Sequence, residues 1–261
     1  MKKTILTLLL IFGINSIYAN CFLCASSGME FFPKQKQIGL NPMFIIEGYA
    51  MSQKTINGFK HRKIYLETKN GELIELNLQK ILKGQMSLTQ AIFKPSKQLE
   101  PNSIYFLKYS NQTEKEGKEM TQYNRESKKI EKVYWETTKK NVKTSEKYNN
   151  LDISFIRSNV THFGCGPAVS AIFKIKNMKT FDFWYKAEVI EISSNTKTTY
   201  YIKSRNSKLS IGHGMCSGAF TFNQKSKYKV KFTLINTEGK PLKTTNWKRF
   251  DSPYTKDNSR F

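Results

Sequence analysis

The sequence predicts an all-β protein built from two tandem antiparallel sandwiches behind a cleaved leader. Two observations carry this prediction. Apolar residues recur with a period of two in short runs that are broken by Gly, Asn, Ser or Pro, and no long run has helical spacing. The 261 residues contain 39% hydrophobic and 13% aromatic residues, enough to bury two modest cores and too many for a disordered chain.

The first element is a signal peptide over residues 1–19. Two lysines follow Met1, and an apolar run over residues 5–12 precedes Ala19. The run is well short of the roughly 20 residues that span a bilayer, and no other segment reaches that length, so we expect no transmembrane span. We expect a bacterial protein, periplasmic or secreted, that begins at Asn20. Lipid anchoring at Cys21 is the minor alternative, because Asn is not the small residue usual before a lipidated Cys.

The first sandwich is predicted over residues 39–148, after an N-terminal segment 20–38. Within it, Asn70-Gly71 has the residues favoured in a tight hairpin, because both tolerate positive φ. Residues 110–150 are rich in charged and polar side chains, and we interpret them as a solvated loop with a last strand, with a hinge or lid as the alternative. The predicted strand runs are 44–51, 64–66, 73–78 and 104–109.

The second sandwich is predicted over residues 149–261, because six strand-like runs within about 110 residues have the density of a sandwich. The alternation of Tyr228, Val230 and Phe232 ends in a polar turn over residues 236–241. The predicted strand runs are 153–156, 168–175, 181–192, 198–202, 219–222 and 228–235.

This last strand and turn resemble the tail of bacterial immunoglobulin-like and fibronectin type III-like modules. Residues 101–106 are similar to the corresponding strand entry in the first unit. The resemblance covers about a quarter of the mature chain and implies two tandem immunoglobulin-like sandwiches, of the kind used in adhesion, spacing and ligand presentation.

Four cysteines in an exported chain predict two disulfides, with three possible pairings. We expect Cys165 to pair with Cys216, which would close a loop of about 52 residues and stabilise by roughly 4 kcal/mol. Cys21 and Cys24 form the remaining pair, of small energetic value. Trp184 completes a Cys, Trp, Cys order, but Gly214 stands where an immunoglobulin domain has Tyr, so this is not the standard inter-sheet bond.

The same cysteines belong to two His-x-x-Cys elements, His162 to Cys165 and His213 to Cys216. Two imidazoles and two thiolates could hold zinc or copper, with Met215 as a soft axial ligand. A disulfide would remove both thiolates, so metal binding is the alternative and no cofactor is expected. The glycines around both elements predict two tight loops, 162–167 and 211–218, that approach each other closely and form the binding surface. These glycines are Gly164, Gly166, Gly212, Gly214 and Gly218. The candidate residues on this surface are His162, Gly164, Gly166, His213 and Met215.

The chain is strongly basic, with a formal net charge of +23, or +21 without the leader. Its 37 lysines outnumber 6 arginines, whereas specific nucleic-acid readers rely on arginine. We therefore expect no specific nucleic-acid partner and interpret most of the charge as solvated surface. An unknown protein, a glycan or an anionic envelope component remains as partner.

No catalytic motif is present, so we expect a non-enzymatic accessory or binding protein. Cys21-x-x-Cys24 lacks the βαβ context of a redox motif. Asp182 and Glu188 are expected to face solvent. A further group of aromatic residues is predicted to be half-buried in the sheet, with a stacking surface for carbohydrate or peptide as the alternative. Its members are Tyr185, Tyr200, Tyr201, Trp247 and Phe250.

Overall fold

The computed structural model describes residues 27–124, 127–138, 151–176 and 183–256. The predicted signal peptide, Cys21, Cys24 and Asp182 lie outside these ranges. The described chain is mostly β, as predicted, with two short helices among its strands. In these ranges, no helix has the length and apolar character needed to cross a bilayer.

The first unit is one eight-stranded sheet in the order β1-β3-β6-β5-β4-β7-β10-β2. Its neighbouring strands are antiparallel except for β10 and β2, which are parallel. The strands of this sheet are β1 (Gly28–Phe32), β2 (Gln37–Ile38), β3 (Phe44–Tyr49), β4 (Ile64–Thr68), β5 (Leu73–Lys83), β6 (Leu88–Pro95), β7 (Ile104–Tyr109) and β10 (Tyr134–Thr137).

The predicted hairpin at Asn70-Gly71 is confirmed, because β4 and β5 pair across it and Gly71 has a φ of 83°. The run 104–109 is a strand over its whole length. The run 44–51 ends earlier than predicted, since a 3-10 turn, Ala50–Ser52, and helix α1 (Gln53–Gly58) follow β3. Strand β6 was not predicted.

One face of this sheet encloses its own core. Phe44 packs edge-on against Trp135, with ring centroids 4.7 Å apart, and Ile56 of α1 is fully buried beside them. The Trp135 Nε1 donates to the Pro33 carbonyl at 2.9 Å, so the buried indole keeps a hydrogen-bond partner. The sheet therefore wraps around the core, unlike the two facing sheets predicted for this unit.

The described part of the charged segment 110–150 contains the predicted hairpin loop and last strand, together with a helix that was not predicted. Helix α2 (Glu114–Glu119) begins with a capping box between Thr113 and Glu116. Arg62 donates to both carboxylate oxygens of Glu116, which fastens the helix to the sheet. A two-stranded hairpin then precedes β10, formed by β8 (Thr121–Asn124) and β9 (Lys129–Lys132).

The second unit is a sandwich of two antiparallel sheets, in the orders β11-β12-β15 and β14-β13-β16-β17, with β18 also paired to β16. The inner faces of both sheets meet in one core, where Phe173 contacts Phe232 at 5.2 Å between centroids. The strands are β11 (Asp152–Phe163), β12 (Gly166–Lys176), β13 (Trp184–Glu191), β14 (Lys197–Lys203), β15 (Lys208–His213), β16 (Lys227–Ile235), β17 (Pro241–Thr244) and β18 (Lys248–Asp251).

Two details of the predicted second unit are wrong. Residues 219–222 are not a strand: Phe220 and Phe222 enter the core of the second unit, while the Ala219 carbonyl and the Thr221 nitrogen bond to Gln85 of the first unit. The strand that follows β14 along the chain is instead β15, which was not predicted and which pairs with β12. The predicted turn after β16 is confirmed: the Asn236 Oδ1 accepts from the Glu238 and Lys240 backbone nitrogens at 3.1 and 2.8 Å.

The two units share a core instead of forming separate tandem modules. The outer face of the first sheet is also apolar, because Ile45 and Ile92 are cross-strand neighbours that turn away from their own core. A sheet with two apolar faces must be covered on both. The first-unit residues that enter the core of the second unit are Phe32, Met43, Ile45, Leu82 and Ile92.

Candidate functional site

The predicted loop 211–218 lies at the junction of the two units. Its residue Gly218 exchanges two backbone hydrogen bonds with Met86, in the turn between β5 and β6, at 2.8 and 3.1 Å. The next residue, Ala219, accepts from the Gln85 nitrogen at 3.1 Å, and the Gln85 Oε1 accepts from the Thr221 nitrogen at 2.8 Å. These bonds hold the loop against the first unit.

Two of the predicted glycines are needed for close approach. A Cβ at Gly212 would lie 1.9 Å from the Val169 carbonyl oxygen, and one at Gly218 would lie 2.2 Å from the Cα of His213. No side chain fits at such distances. The close contacts of the loop are thus with strand β12 and with itself, and not with the other predicted loop.

The other predicted loop, 162–167, is the tip of the hairpin formed by β11 and β12. Its residues His162 and Gly164 are exposed, and a Cβ at Gly164 or Gly166 would meet nothing within 4 Å. Strand β15 ends at His213, and the chain turns back at once, with the Gly214 nitrogen donating to the Ser217 carbonyl at 2.8 Å. The chain therefore leaves the sheet before it can run alongside the tip.

The predicted bond between Cys165 and Cys216 is not formed. Cys216 takes part in a disulfide, but Cys165 is not its partner. Strand β15 pairs with β12 only as far as His213, which lies opposite Val169, so this pairing ends before the hairpin tip that holds Cys165.

The alternative zinc or copper site is not formed either. All four of its proposed ligands, His162, Cys165, His213 and Cys216, are described. Among the described residues, no three His, Cys, Asp or Glu side chains come together in a way that could hold a metal ion.

A groove of about 590 Å³ opens between the first sheet and the edge of the second unit. Strands β1 and β3 form one wall, strand β14 forms the other, and the backbone of the 211–218 loop closes one end. Of the predicted surface residues, His213 lines this groove. The groove is also lined by Glu30, Phe32, Glu47, Trp184, Tyr201 and Lys203.

Glu47 is the buried acid of the groove. Its Oε2 accepts from the Tyr200 hydroxyl at 2.9 Å and from the Gln90 Nε2 at 2.8 Å. Burial raises the pKa of this carboxyl, and the nearby charge of Glu30 adds to the rise, although the two hydrogen bonds and Lys34 oppose it. Burial and the Glu47 charge likewise raise the pKa of Tyr200.

The Gln90 side chain connects the two units, because its amide makes the two hydrogen bonds with the Tyr201 backbone that a neighbouring strand would make. It is fully buried, its Nε2 also donates to the Tyr201 carbonyl at 2.9 Å, and its Oε1 accepts from the Tyr201 nitrogen at 3.2 Å. Strand β14 is the edge of its sheet, so the Gln90 amide satisfies backbone groups that the sheet leaves open. The wall that carries Tyr200 is thereby fixed to the first unit.

The groove is also lined by aromatic rings, of which Phe32 and Trp184 are largely buried and Tyr201 is half-buried. Phe32 meets Trp184 edge-on at 4.9 Å between ring centroids, and Tyr201 lies 6.4 Å from the indole. The Lys203 ammonium lies 5.1 Å from the Trp184 ring centroid and 5.4 Å from that of Phe32. An ammonium group of the chain itself therefore already occupies the aromatic rim, in the geometry of a cation–π contact.

The structure separates the aromatic residues that the sequence grouped together. Tyr185, Tyr200 and Phe250 are buried, and only part of Trp247, 38%, is exposed. Glu188 is not solvent-facing as predicted, since only 7% of it is exposed. Its side chain lies on the outer face of the sheet, but three lysines cover it there.

Sequence reasoning missed Glu47, Gln90 and Phe32. A signal for the first two exists, because each is a polar residue inside an otherwise apolar strand run, FIIEGY and TQAIF. Such a residue is either at an exposed edge or in a buried polar contact, and the pattern alone does not distinguish the two. Phe32 carries no such signal.

A larger concavity, of about 840 Å³, lies in the first unit between β4, β7 and α2. Two of its lysines already have carboxylate partners, Lys108 with Glu67 at 2.5 Å and Lys118 with Glu114 at 2.6 Å. These pairs are exposed and solvated. The groove, with its buried acid and aromatic rim, is the better candidate site.

Comparison with known proteins gives no family. No family model matches the chain, and no curated protein matches it. Among solved structures it is similar to a pullulanase from Anoxybacillus sp. LM18-11, in a complex with maltotriose (10% identity, TM-score 0.25) and in a second crystal structure (8%, 0.24). Each alignment covers 86% of this chain and 25% of the pullulanase, so the chain spans a quarter of their length.

The chain is also similar to a chain in a cytokine receptor complex, at 9% identity and a TM-score of 0.26, over 89% of this chain and 100% of that one. At these scores the likeness supports no inference about either fold or function. The groove has to be interpreted from its own chemistry.

Proposed function

We propose that this is an exported, non-enzymatic binding protein, and that the groove between its units binds an amine or guanidinium group of its partner. The observation that carries the proposal is the buried Glu47 carboxyl below an aromatic rim. A cation is attracted both to a carboxylate and to the faces of aromatic rings. Lys203 at that rim supports the proposal, because it shows that the rim accommodates an ammonium group.

The scaffold suits binding because the groove needs little reorganisation. Its walls belong to different units, but Gln90 and the Met86 to Gly218 backbone pair hold them together. A preformed site loses less conformational entropy when a ligand enters. The facing sheets of the second unit support its interpretation as an immunoglobulin-like or fibronectin type III-like module that presents the 211–218 loop to the partner.

The test uses N-acetyl-lysine methylamide and its uncharged analogue N-acetyl-norleucine methylamide, titrated into the full mature chain. The readout is the NMR shift of the Trp184 indole. We expect the lysine compound to bind with a millimolar dissociation constant and the norleucine compound not to bind. A single cation–π contact between the ammonium group and the aromatic rings is worth roughly 1 to 2 kcal/mol beyond the apolar contact that both compounds make. Binding should strengthen as the pH rises through the pKa of Glu47, since the ionised carboxylate attracts the cation.

Glu47→Gln should abolish the preference for lysine over norleucine together with its pH dependence. The matched control is Glu67→Gln, which removes the same charge from the first unit outside the groove. Equal binding of both compounds to the unchanged protein, or an unaltered preference in Glu47→Gln, contradicts the proposal. Export is tested by expression in a bacterium and N-terminal sequencing of the exported product, which should begin at Asn20.

A further inference from the structure

We propose that the outer face of the five-stranded sheet binds a linear acidic polysaccharide. This surface, the lysine face, shares no residue with the groove, although Lys186 is the direct neighbour of the groove residue Tyr201. Its proposed binding does not depend on the function proposed for the groove. It is formed by the outward side chains of β13, β14, β16 and β18 with the indole that follows β17. The residues that define it are Lys186, Glu188, Lys197, Lys229, Lys231, Trp247 and Arg249.

Strand register brings these side chains to one face. Glu188 of β13 is the direct neighbour of Lys231 on β16. Lys229, two residues before Lys231, is the direct neighbour of Arg249 on β18. Val230 between the two lysines is fully buried on the opposite face, as alternation requires. Neighbouring positions on this face are about 5 Å apart across the strands and about 7 Å apart along them, the scale of a sugar unit, and Lys229 with Arg249 and Lys229 with Lys231 are cations at these two spacings.

The charge on this face is not balanced within the protein. Glu188 contacts three lysines, with the Lys231 Nζ at 3.2 Å, the Lys186 Nζ at 3.9 Å and Lys197 closer still. One carboxylate compensates one ammonium, so an excess of positive charge remains, and Lys229 and Arg249 add to it. The shared carboxylate also restrains the lysines, which lowers the entropy lost when they bind an anion.

Trp247 adds an apolar surface beside the cations. The Lys231 and Lys229 ammonium groups lie 4.9 and 5.2 Å from its ring centroid. An indole ring packs against the apolar face of a sugar, and ammonium groups beside it can pair with a carboxylate or sulfate on the same sugar. Near them the exposed residue Thr244, whose hydroxyl is hydrogen-bonded to the buried Thr233 hydroxyl at 3.0 Å, offers a polar contact to sugar hydroxyls.

The composition of the face favours a polysaccharide over the other polyanions. Lysine ammonium groups act as point charges and lack the planar fork with which arginine recognises phosphates and bases. Binding of single-stranded nucleic acid relies on several aromatic rings for successive bases, and this face presents one. Insertion into a bilayer requires apolar side chains that project from the surface, whereas Trp247 lies under two lysines.

The experiment measures binding of the full mature chain to a sulfated heparin hexasaccharide at several salt concentrations, by calorimetry. Lys229→Gln/Lys231→Gln is compared with Lys54→Gln/Lys60→Gln, which removes the same charge from exposed positions of the first unit. We expect affinity to fall about tenfold or more in the first pair, with a smaller salt slope, and less than about twofold in the control pair. Trp247→Ala should also weaken binding, while Glu47→Gln should not.

Equal losses in the two lysine pairs would show attraction to net charge alone and would overturn the proposal. So would tighter binding to a single-stranded oligonucleotide or to anionic phospholipid vesicles than to a hexasaccharide of matched charge. Thermal unfolding of each variant identifies any that fail to fold, and Arg249→Gln then serves as the alternative variant. Glu47→Gln changes only the groove. A negative result with the polysaccharide therefore contradicts the proposal for the lysine face and leaves the function proposed for the groove to its own test.

Discussion

Glu47 and Glu188 are both largely enclosed by the protein, but their protonation is shifted in opposite directions. The pKa of Glu47 is raised, because burial dominates and its partners, Tyr200 and Gln90, are neutral. Burial also raises the pKa of Glu188, but hydrogen bonds from Lys197 and Lys231, with the charge of Lys186, outweigh it and leave the pKa below its usual range. The identity of the partners decides the charge state, and the degree of enclosure does not.

The two glutamates lie beside adjacent residues of strand β14. Tyr200, which donates to Glu47, follows Thr199, which lies directly beside Glu188. Alternation along β14 thus directs Tyr200 towards Glu47 and places Thr199 beside Glu188 on the outer face. Four substitutions test how far this contrast holds.

The largest effect is expected for Gln90→Ala. It removes three hydrogen bonds, leaves the Tyr201 backbone unsatisfied in a buried place and opens a cavity, so the free energy of unfolding should fall by about 3 kcal/mol. Guanidinium unfolding measures it. The control is Gln79→Ala, an exposed glutamine of β5 that should change stability by less than about 0.5 kcal/mol. Similar losses in both would mean that Gln90 does not couple the units.

Arg62→Gln extends the comparison to a glutamate with a single arginine partner. Arg62 holds the pKa of Glu116 at about 2, below its ordinary value of 4.5. A lowered pKa means that this stabilisation is present above pH 4.5 and is lost as the pH falls towards 2. We expect a loss of roughly 1 kcal/mol at pH 7, given partial exposure of the pair, and a flatter stability profile between pH 2 and 5. An unchanged profile would contradict this.

Glu188→Gln keeps the shape of the side chain and removes the charge between the three lysines. Stability at low salt should fall by about 1 kcal/mol, because the lysines are partly exposed and water screens them. In 1 M salt the loss should shrink, and chemical unfolding with urea at both salt concentrations measures it. A loss that is independent of salt would mean that packing, and not charge, is what Glu188 contributes.

Glu47→Gln should have the smallest effect at neutral pH, a gain of about 0.5 kcal/mol, since the amide still accepts from Tyr200 without a buried charge. A raised pKa means that the folded protein gains stability as the pH falls from the folded-state pKa to the ordinary carboxyl value. This gain should be absent in the variant. Urea unfolding across pH 4 to 8 tests this prediction. A variant that is less stable than the unchanged protein at pH 7 would contradict the raised pKa of Glu47.

Features set by neighbours in sequence were predictable. The run 104–109 is strand β7, and the turns at Gly71 and Asn236 form as their residues indicate. Period-two alternation and residues that tolerate positive φ act over a few residues, so no distant contact is needed to recognise them. Of the predicted binding surface, His213 lines the groove and the 162–167 loop does not.

Features set by distant contacts were not predictable. We expected Cys216 to pair with Cys165 because both lie in the second unit, but the pairing of β15 with β12 ends at His213, before it reaches that hairpin tip. The groove residues Glu47 and Tyr200 are 153 positions apart, a separation that no local pattern spans.

The sequence by itself determined that this protein is a β protein with an excess of positive charge, and where its tightest turns lie, because composition and short-range backbone preference are local properties. Only the tertiary structure decided that Ile45 and Ile92 cover a second core, that Glu47 packs against Tyr200 and Gln90 and that Glu188 is surrounded by lysines. Which surface lies against which depends on long-range packing, and that packing sets the dielectric environment and the charged neighbours of each side chain.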